Sequence, residues 1–580
     1  MGSPDHLHDH IKALLHSVAP PSMKDPGVLE ALAAATRWFS VPGGETLFRR
    51  GDPADALYFV VSGVLGVIRR APTGPETIIT RLGPGEVVGE MGCVTGQPRT
   101  ATVRALRSTE LLAISWDELE RISATVPDVL RSVCTTAIQR FIQTQEGRPS
   151  RFQPRTFAVI SGGDGVDLRA VGEQFTASLK TDGRAVLATR EEFQNLTADQ
   201  LFQIEDQQDY LVYVCDPGNR PWTSFCLRQS DTVLAVVRGD TPPRALPEIA
   251  GPVNTGIPVV LILTWPANRR PSRTADWLAS TGLSRHFHVR GPADMNRVRR
   301  LLTGRGLGLA LSGGGARGLA HVGVVRAMRE RGIEIDVVTG TSVGSLIGAG
   351  VSGEYSVERM TEEVRQFAKG TLWFEITVPK VSLLAGRNLR RLLARCFHDD
   401  LIEDAPIPFA CVSTNLTAGG AAIHRTGPLR TWVGASMAVP GVFPPTILGD
   451  TVYVDGGMLN NLPADLIRED GASFVIGVDV AGNALAQDLA MLNAPRIDPG
   501  PTNIFDVLWR TCCIVDDSQS LARRRQCDML IVPRLQNVGL LNFRAFESII
   551  EAGYQSALKM LDDFDKRRAN GPETRQGDPL

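Results

Sequence analysis

Histidine is scarce in this chain of 580 residues: there are nine, and none follows His424. A catalytic order that needs a late histidine is therefore excluded, and the Ser, acid, His order of α/β-hydrolases is such an order. The nine cysteines are dilute and odd in number, with Cys512 and Cys513 adjacent and no C-x-x-C. That excludes a disulfide scaffold and the common zinc spacings, and it fits reduced thiols in a cytoplasmic compartment. No sign of charge dominates: 61 basic residues face 63 acidic ones. The basic field that a nucleic-acid partner needs is missing. Long apolar runs are missing too. The most apolar stretch near the middle, "IPVVLILTW" at 257–265, is far short of the ~20 residues of a spanning helix. Neither a signal peptide nor a transmembrane anchor is expected, which leaves peripheral contact with the inner membrane face. His6, His8, His10 and His16 lie in a polar N-terminal stretch that reads as a solvated tail and short helix, not a metal site.

What is present is ordinary in bulk, 43% apolar and 21% charged, and too long for one core. The texture changes along the chain. After a tail at 1–27, residues 28–145 hold short apolar runs broken by Gly, Pro and Asp, then a helical stretch. Strand-sized pieces at regular turn spacing predict a β barrel or jelly roll. A polar linker follows at 146–155. From 156 to 303, "TFAVIS", "AVLAT", "DYLVYV", "TVLAVV" and "PVVLILT" alternate with helical stretches, as in a doubly wound α/β unit. A second α/β unit runs over 304–565, with strands "LGLALS", "VVTG", "FACVST", "FVIGVDV" and "MLIVP". Residues 566–580 are polar and expected to be disordered.

Two stretches carry binding or catalytic chemistry. "VVGEMGCVTGQPRTATV" (87–103) combines Gly89-Glu90 with Arg99-Thr100-Ala101. Glycine admits a ligand close to the backbone, and an arginine fork suits a phosphate. "LGLALSGGGARGLAHVGVVRAMRE" (307–330) reads as strand, Gly313-x-Gly315-x-x-Gly318, helix. Alone this favours a pyrophosphate, although the same N–H groups can serve an oxyanion. The next strand–helix turn is Gly340-Thr-Ser342-Val-Gly344, a G-x-S-x-G elbow. A serine nucleophile needs a base. With no suitable histidine, Asp455 is the candidate, at a strand end and ahead of Gly456-Gly457.

The first stretch resembles the cyclic nucleotide-binding domain family. The resemblance implies that Arg99 holds a cyclic phosphate and Glu90 a ribose hydroxyl, with Gly89, Thr100 and Ala101 around them. cAMP or cGMP would then be a regulatory ligand. Val88, Gly92 and Cys93 depart from that family's usual Phe and Ala-Leu. "GGGARG", "GTSVG" and "DGG" together resemble the patatin-like phospholipase family, with the closer match to its neuropathy target esterase branch. That implies a Ser342–Asp455 dyad acting on a lysophospholipid or phospholipid, and no catalytic cofactor or metal. It also implies an oxyanion hole of Gly313, Gly314 and Gly315, supported by Arg317, Gly318, Gly340, Gly344, Gly456 and Gly457. The fold class is thus a β jelly roll, an α/β middle domain and an α/β patatin-like hydrolase.

Other features are weaker. His321 reads as structural. "SGGDG" (161–165) lacks the Gly-Lys-Ser/Thr of a P-loop. Around Trp373 and Phe374, buried core is the commoner reading. A lipid-facing flap with Arg387, Arg390 and Arg391 near acidic head groups is the sharper one. Pro440, Pro444 and Pro445 read as a rigid loop shaping an acyl pocket. Two rivals remain: a nicotinamide-dependent dehydrogenase with Asp336 as its acidic residue, and a non-catalytic nucleotide sensor whose C-terminal half binds lipid or a partner. Oligomeric state is not readable.

Overall fold

The computed structural model describes residues 11–12, 15–16, 26–70, 76–127, 129–131, 133–135, 138, 153–163, 165–249, 256–369, 376–378, 380–481, 522–535, 538–539 and 542–570. They fall into two compact units, 1–238 with 244–262 and 283–286, and 239–243 with 263–282 and 287–580.

The first unit begins with a jelly roll of two four-stranded antiparallel sheets. One sheet has the order Arg37–Val41, Thr109–Ser115, Ala56–Ser62, Val87–Val88, and the other Thr46–Phe48, Thr102–Ala105, Leu65–Arg70, Glu76–Leu82. Strand Thr109–Ser115 shows why its sequence does not alternate cleanly. Leu111 faces the barrel core with Val60, Leu65 and Val103, while Leu112 and Ile114 pack under helix Pro26–Ala35. Both faces are buried, so both are apolar.

The middle domain holds a six-stranded sheet in the order Ala185–Ala188, Tyr210–Val214, Thr156–Ser161, Thr232–Arg238, Val259–Thr264, His286–Val289. The strand at His286–Val289 was not expected, because "HFHV" is too short and polar to read as one. The barrel meets this domain through Arg107. Its Nε lies 2.7 Å from Asp231 Oδ1, and both residues are buried. Asp231 Oδ2 also accepts from the backbone N–H groups of Arg155 and Thr156 at 2.8 and 3.0 Å. Burial would lower the Arg107 pKa, but Asp231 and Glu205 outweigh it and hold the guanidinium charged.

The second unit is built on an eight-stranded sheet. Its parallel core runs Phe409–Asn415, Val337–Thr341, Gly306–Leu311, Ala472–Val478, Met529–Ile531. Every residue of Gly306–Leu311 is buried, as expected of a central strand covered on both faces. Strands Thr451–Asp455 and Gly420–His424 both run antiparallel to Phe409–Asn415, and Thr446–Leu448 pairs with the former. On one face, helix Ala320–Glu330 crosses helix Phe546–Asn570 nearly backbone to backbone. A Cβ on Gly323 would lie 1.8 Å from Ile550 O, and one on Gly553 2.0 Å from Ala320 O. The tail expected from 566 is corrected here. Its first five residues continue that helix to Asn570, and the remainder lies outside the described residues.

Candidate active site

The elbow places Ser342 between strand Val337–Thr341 and helix Val343–Ser352. Its backbone is strained, with φ +54° in a non-glycine residue. The flanking glycines are obligatory for space. A Cβ on Gly340 would stand 2.4 Å from Gly344 O, and one on Gly344 2.3 Å from Leu311 O. The turn lifts Ser342 Oγ toward Asp455, to whose Oδ2 it donates at 2.6 Å.

Asp455 arrives from the other direction. Its strand runs antiparallel to Phe409–Asn415, so its C-terminal end returns toward the elbow. Gly456 allows the turn, since a Cβ there would meet Val412 O at 2.2 Å. Asp455 Oδ1 accepts from Gly457 N at 2.8 Å. Both Ser342 and Asp455 are nearly inaccessible. Burial pushes the Asp455 pKa up to about 7, against the pull of the bonds from Ser342 and Gly457. A carboxyl group in that range accepts a proton far better than one at ~3.9.

The three glycines expected as an oxyanion hole do not act alike. Gly313 N donates to Asn461 O at 3.2 Å and is spent on structure. Gly314 and Gly315 N–H make no hydrogen bond among the described residues. Gly315, with φ +54°, opens the 3-10 turn Gly315–Leu319. The loop is braced from below, where His321 Nε2 lies 2.8 Å from Ser312 O. Burial lowers the His321 pKa to about 4, so the ring is neutral and donates there. Arg317 Nε donates to Val538 O at 2.9 Å. Gly318 keeps the turn against Val343, whose Cγ1 would be 2.8 Å from a Cβ.

Two contributors escaped the sequence. Ser436 Oγ accepts from Ser342 N at 2.8 Å and donates to Val412 O at 2.6 Å. The serine's own N–H is therefore not an oxyanion donor. Asn461 contributes through its carbonyl. Neither sits in a motif, and Asn461 follows a plausible turn. His398 and His424 bond to neither Ser342 nor Asp455. His424 instead meets Ser413 Oγ at 2.7 Å and stacks on Trp432. Asp336 starts its strand fully buried and grips Arg300 at 2.7 Å, away from any ribose role.

A narrow apolar cleft starts at the elbow. Val343, Leu346, Ile347 and Gly350 line it from one helix face, together with Tyr355 and Met360. Met437 lines it, while Pro440, Pro444 and Pro445 do not. Trp373 and Phe374 lie outside the described residues.

In the barrel, Arg99 departs from the expected pose. It is buried, donates from Nη1 to Gly89 O at 3.0 Å and from Nη2 to Ala56 O at 2.9 Å, and lies over the Phe48 ring. Gly89 has φ +94° and touches this guanidinium. Glu90 is buried, Thr100 exposed and Ala101 half-buried. The cassette residues are neighbours, but the arginine fork is turned inward.

Comparison with known proteins covers all three segments. The patatin-like phospholipase model matches residues 309–467, and the cyclic nucleotide-binding domain model 38–125. The Neuropathy Target Esterase family P-loop like domain model matches 155–308, where no Gly-Lys-Ser/Thr occurs. Patatin-like phospholipase domain-containing protein 6 of Homo sapiens is 30% identical over 521 residues, covering 77% of this chain and 38% of its own. Neuropathy target esterase sws of Drosophila melanogaster is 29% identical over 513 residues, covering 77% and 36%. An uncharacterized NTE family protein of Mycobacterium bovis is 30% identical over 563 residues, covering 93% of this chain and 94% of its own. The chain thus spans 36–45% of the animal relatives it matches and 94% of the mycobacterial one.

Proposed function

The chain belongs to the neuropathy target esterase family of patatin-like phospholipases, and from that premise we propose that it is a serine esterase for lysophospholipids or phospholipids. The observation that carries the reading is the 2.6 Å bond from the strained, buried Ser342 to Asp455. Ser342 Oγ attacks the acyl carbonyl and passes its proton to Asp455. Gly314 and Gly315 N–H receive the oxyanion. Asp455 returns the proton to the departing alkoxide, leaving an acyl-enzyme. Asp455 then draws a proton from water, which attacks the acyl carbon, and returns it to the departing Ser342 Oγ as the fatty acid is freed. The acyl chain lies along the cleft from Val343 to Gly350. The seven helical steps between them rise about 10.5 Å, the reach of roughly eight carbons in a zigzag of ~1.5 Å bonds.

The barrel takes cAMP or cGMP as a regulatory ligand in this reading. The matched domain model and the clustering of Gly89, Glu90 and Arg99 support it. Arg99 must trade Gly89 O and Ala56 O for the phosphate. Calorimetric titration with each nucleotide, against Arg99→Ala, tests this, and no heat at millimolar ligand refutes it. For the hydrolase, a fluorophosphonate probe should label the wild type and not Ser342→Ala. An unlabelled wild type would favour the sensor reading, and fatty-acid release that persists in Asp455→Asn would defeat the dyad.

A further inference from the structure

We infer that the edge of the second unit that carries Asp455 is a docking surface for anionic phospholipid bilayers. Large apolar side chains are exposed there in a cluster. Ile376 is 64% exposed, Val378 74%, Val381 66% and Ile447 63%, with Leu448 and Leu416 beside them in the chain order of the same edge. Four other large apolar residues of the described set are comparably open: Ile423, on the strand Gly420–His424 that also pairs with Phe409–Asn415, and Ile79, Val94 and Ile138, which belong to the first unit. Hydrogen bonds join the cluster into one platform. Ile376 pairs with Leu384 to form a hairpin, and Ser382 pairs with Gly441. Leu383 N and Leu384 N donate to Gly441 O and Val442 O at 2.8 and 2.9 Å. That loop leads into strand Thr446–Leu448, which pairs with Thr451–Asp455, and Leu416 N donates to Val452 O at 2.9 Å. Asp455 N itself is held by Ala438 O at 2.9 Å. The platform and the buried carboxylate are therefore parts of one hydrogen-bonded assembly.

Charge selects the partner. Residues 376–398 hold Lys380, Arg387, Arg390, Arg391 and Arg395 and no acidic residue. Helix Arg387–Phe397 buries Leu389, Leu392 and Leu393 and leaves Arg387, Arg390 and Arg391 exposed. Among the described residues these three have no carboxylate within salt-bridge distance, and Arg391 bonds only Asn388. Arginines nearby do: Arg395 pairs with Glu363 at 2.6 Å, and Arg430 with Asp399 at 3.1 Å. Exposed apolar side chains next to unpaired arginines match a surface whose interior is hydrocarbon and whose head groups are negative. A protein partner would need an acidic and apolar counterpart surface, and a second copy of this edge would set arginine against arginine. The bilayer satisfies both features together.

Co-sedimentation of the full chain with vesicles tests this. The wild type should pellet with phosphatidylcholine–phosphatidylglycerol vesicles and much less with phosphatidylcholine alone, and salt should weaken the binding. Val378→Asp with Val381→Asp should lower partitioning by about tenfold or more. Arg387→Gln, Arg390→Gln and Arg391→Gln together should lower it by about a hundredfold on anionic vesicles. Both variants should hydrolyse a soluble short-chain ester within about twofold of wild type, which reports intact folding; far-ultraviolet circular dichroism reports it equally if no ester is cleaved. A wild type that stays in the supernatant overturns the inference. So does an aspartate variant that pellets like wild type, or a wild-type dimer that the aspartate variant dissociates. Vesicle binding is read without turnover, so it stands apart from the esterase reading.

Discussion

Replacing Asp455 by asparagine should stabilise the fold while disabling the site. The carboxyl group is buried with a pKa of about 7, against 3.8 for a free side chain. Folding therefore favours its protonated form. That contribution to stability is complete below about pH 4 and is lost as pH rises through about 7. A difference of roughly three units amounts to about 4 kcal/mol at pH 8. Asparagine does not titrate, and its amide oxygen still accepts from Gly457 N. The variant should match the wild type near pH 4, gain on it up to about pH 7 and hold that gain to pH 8. In a unit of this size the gap would be roughly 6 °C in Tm. Thermal denaturation of both proteins from pH 4.5 to 8 measures it, following the transition of the unit that holds the site. Turnover should mirror the same group. The wild-type rate should rise about tenfold per pH unit below 7 and level off above it. A Tm gap that stays constant across this range refutes the buried, proton-holding carboxylate, and so does a flat rate profile.

Ser436→Ala removes the acceptor for Ser342 N and should slow acylation by about tenfold with a stability loss of about 1–2 kcal/mol, read by single-turnover acylation and urea titration. Gly350→Leu fills part of the cleft, where even a Cβ would come within 3.1 Å of Met360 Sδ. The ratio of long-chain to short-chain ester hydrolysis should fall by about tenfold or more, and an unchanged ratio would move the acyl chain elsewhere. Arg107→Ala leaves Asp231 without its cation between barrel and middle domain. It should cost about 3–5 kcal/mol in the first unit, visible as an earlier unfolding transition.

The legible part of the site was the part that local geometry dictates. Gly340 and Gly344 are required wherever a serine is lifted off a strand end, and Gly456 wherever an aspartate turns under a neighbouring carbonyl. Those requirements act over a few residues, so a short motif records them. What the motifs could not record is who occupies each N–H. Gly313 is lost to Asn461, 148 residues later, and Ser342 N to Ser436. Such pairings depend on which strands adjoin, and strand Thr451–Asp455 enters antiparallel, against the alternation of the rest. Arg99 is a similar case. Its type suits a phosphate, but Ala56, Gly89 and Phe48 supply enough internal partners to hold it inward. The helix end was misread for a simpler reason. The residues beyond 565 are polar in sequence and so carry no apolar periodicity, but helix propagation needs only one more backbone bond per residue.

The close crossing of Gly323 and Gly553 makes support of the glycine loop depend on a helix that is synthesised late. A ribosome delivers the glycine loop, Ser342 and Asp455 well before residue 553. Until helix Phe546–Asn570 has been made, the helix behind the loop lacks the partner on which its backbone is seated, and Arg317 lacks Val538. The nascent chain thus carries every reacting group while the N–H groups of the loop are still without their support. On the esterase reading, hydrolysis should therefore require helix Phe546–Asn570 to have been made and seated.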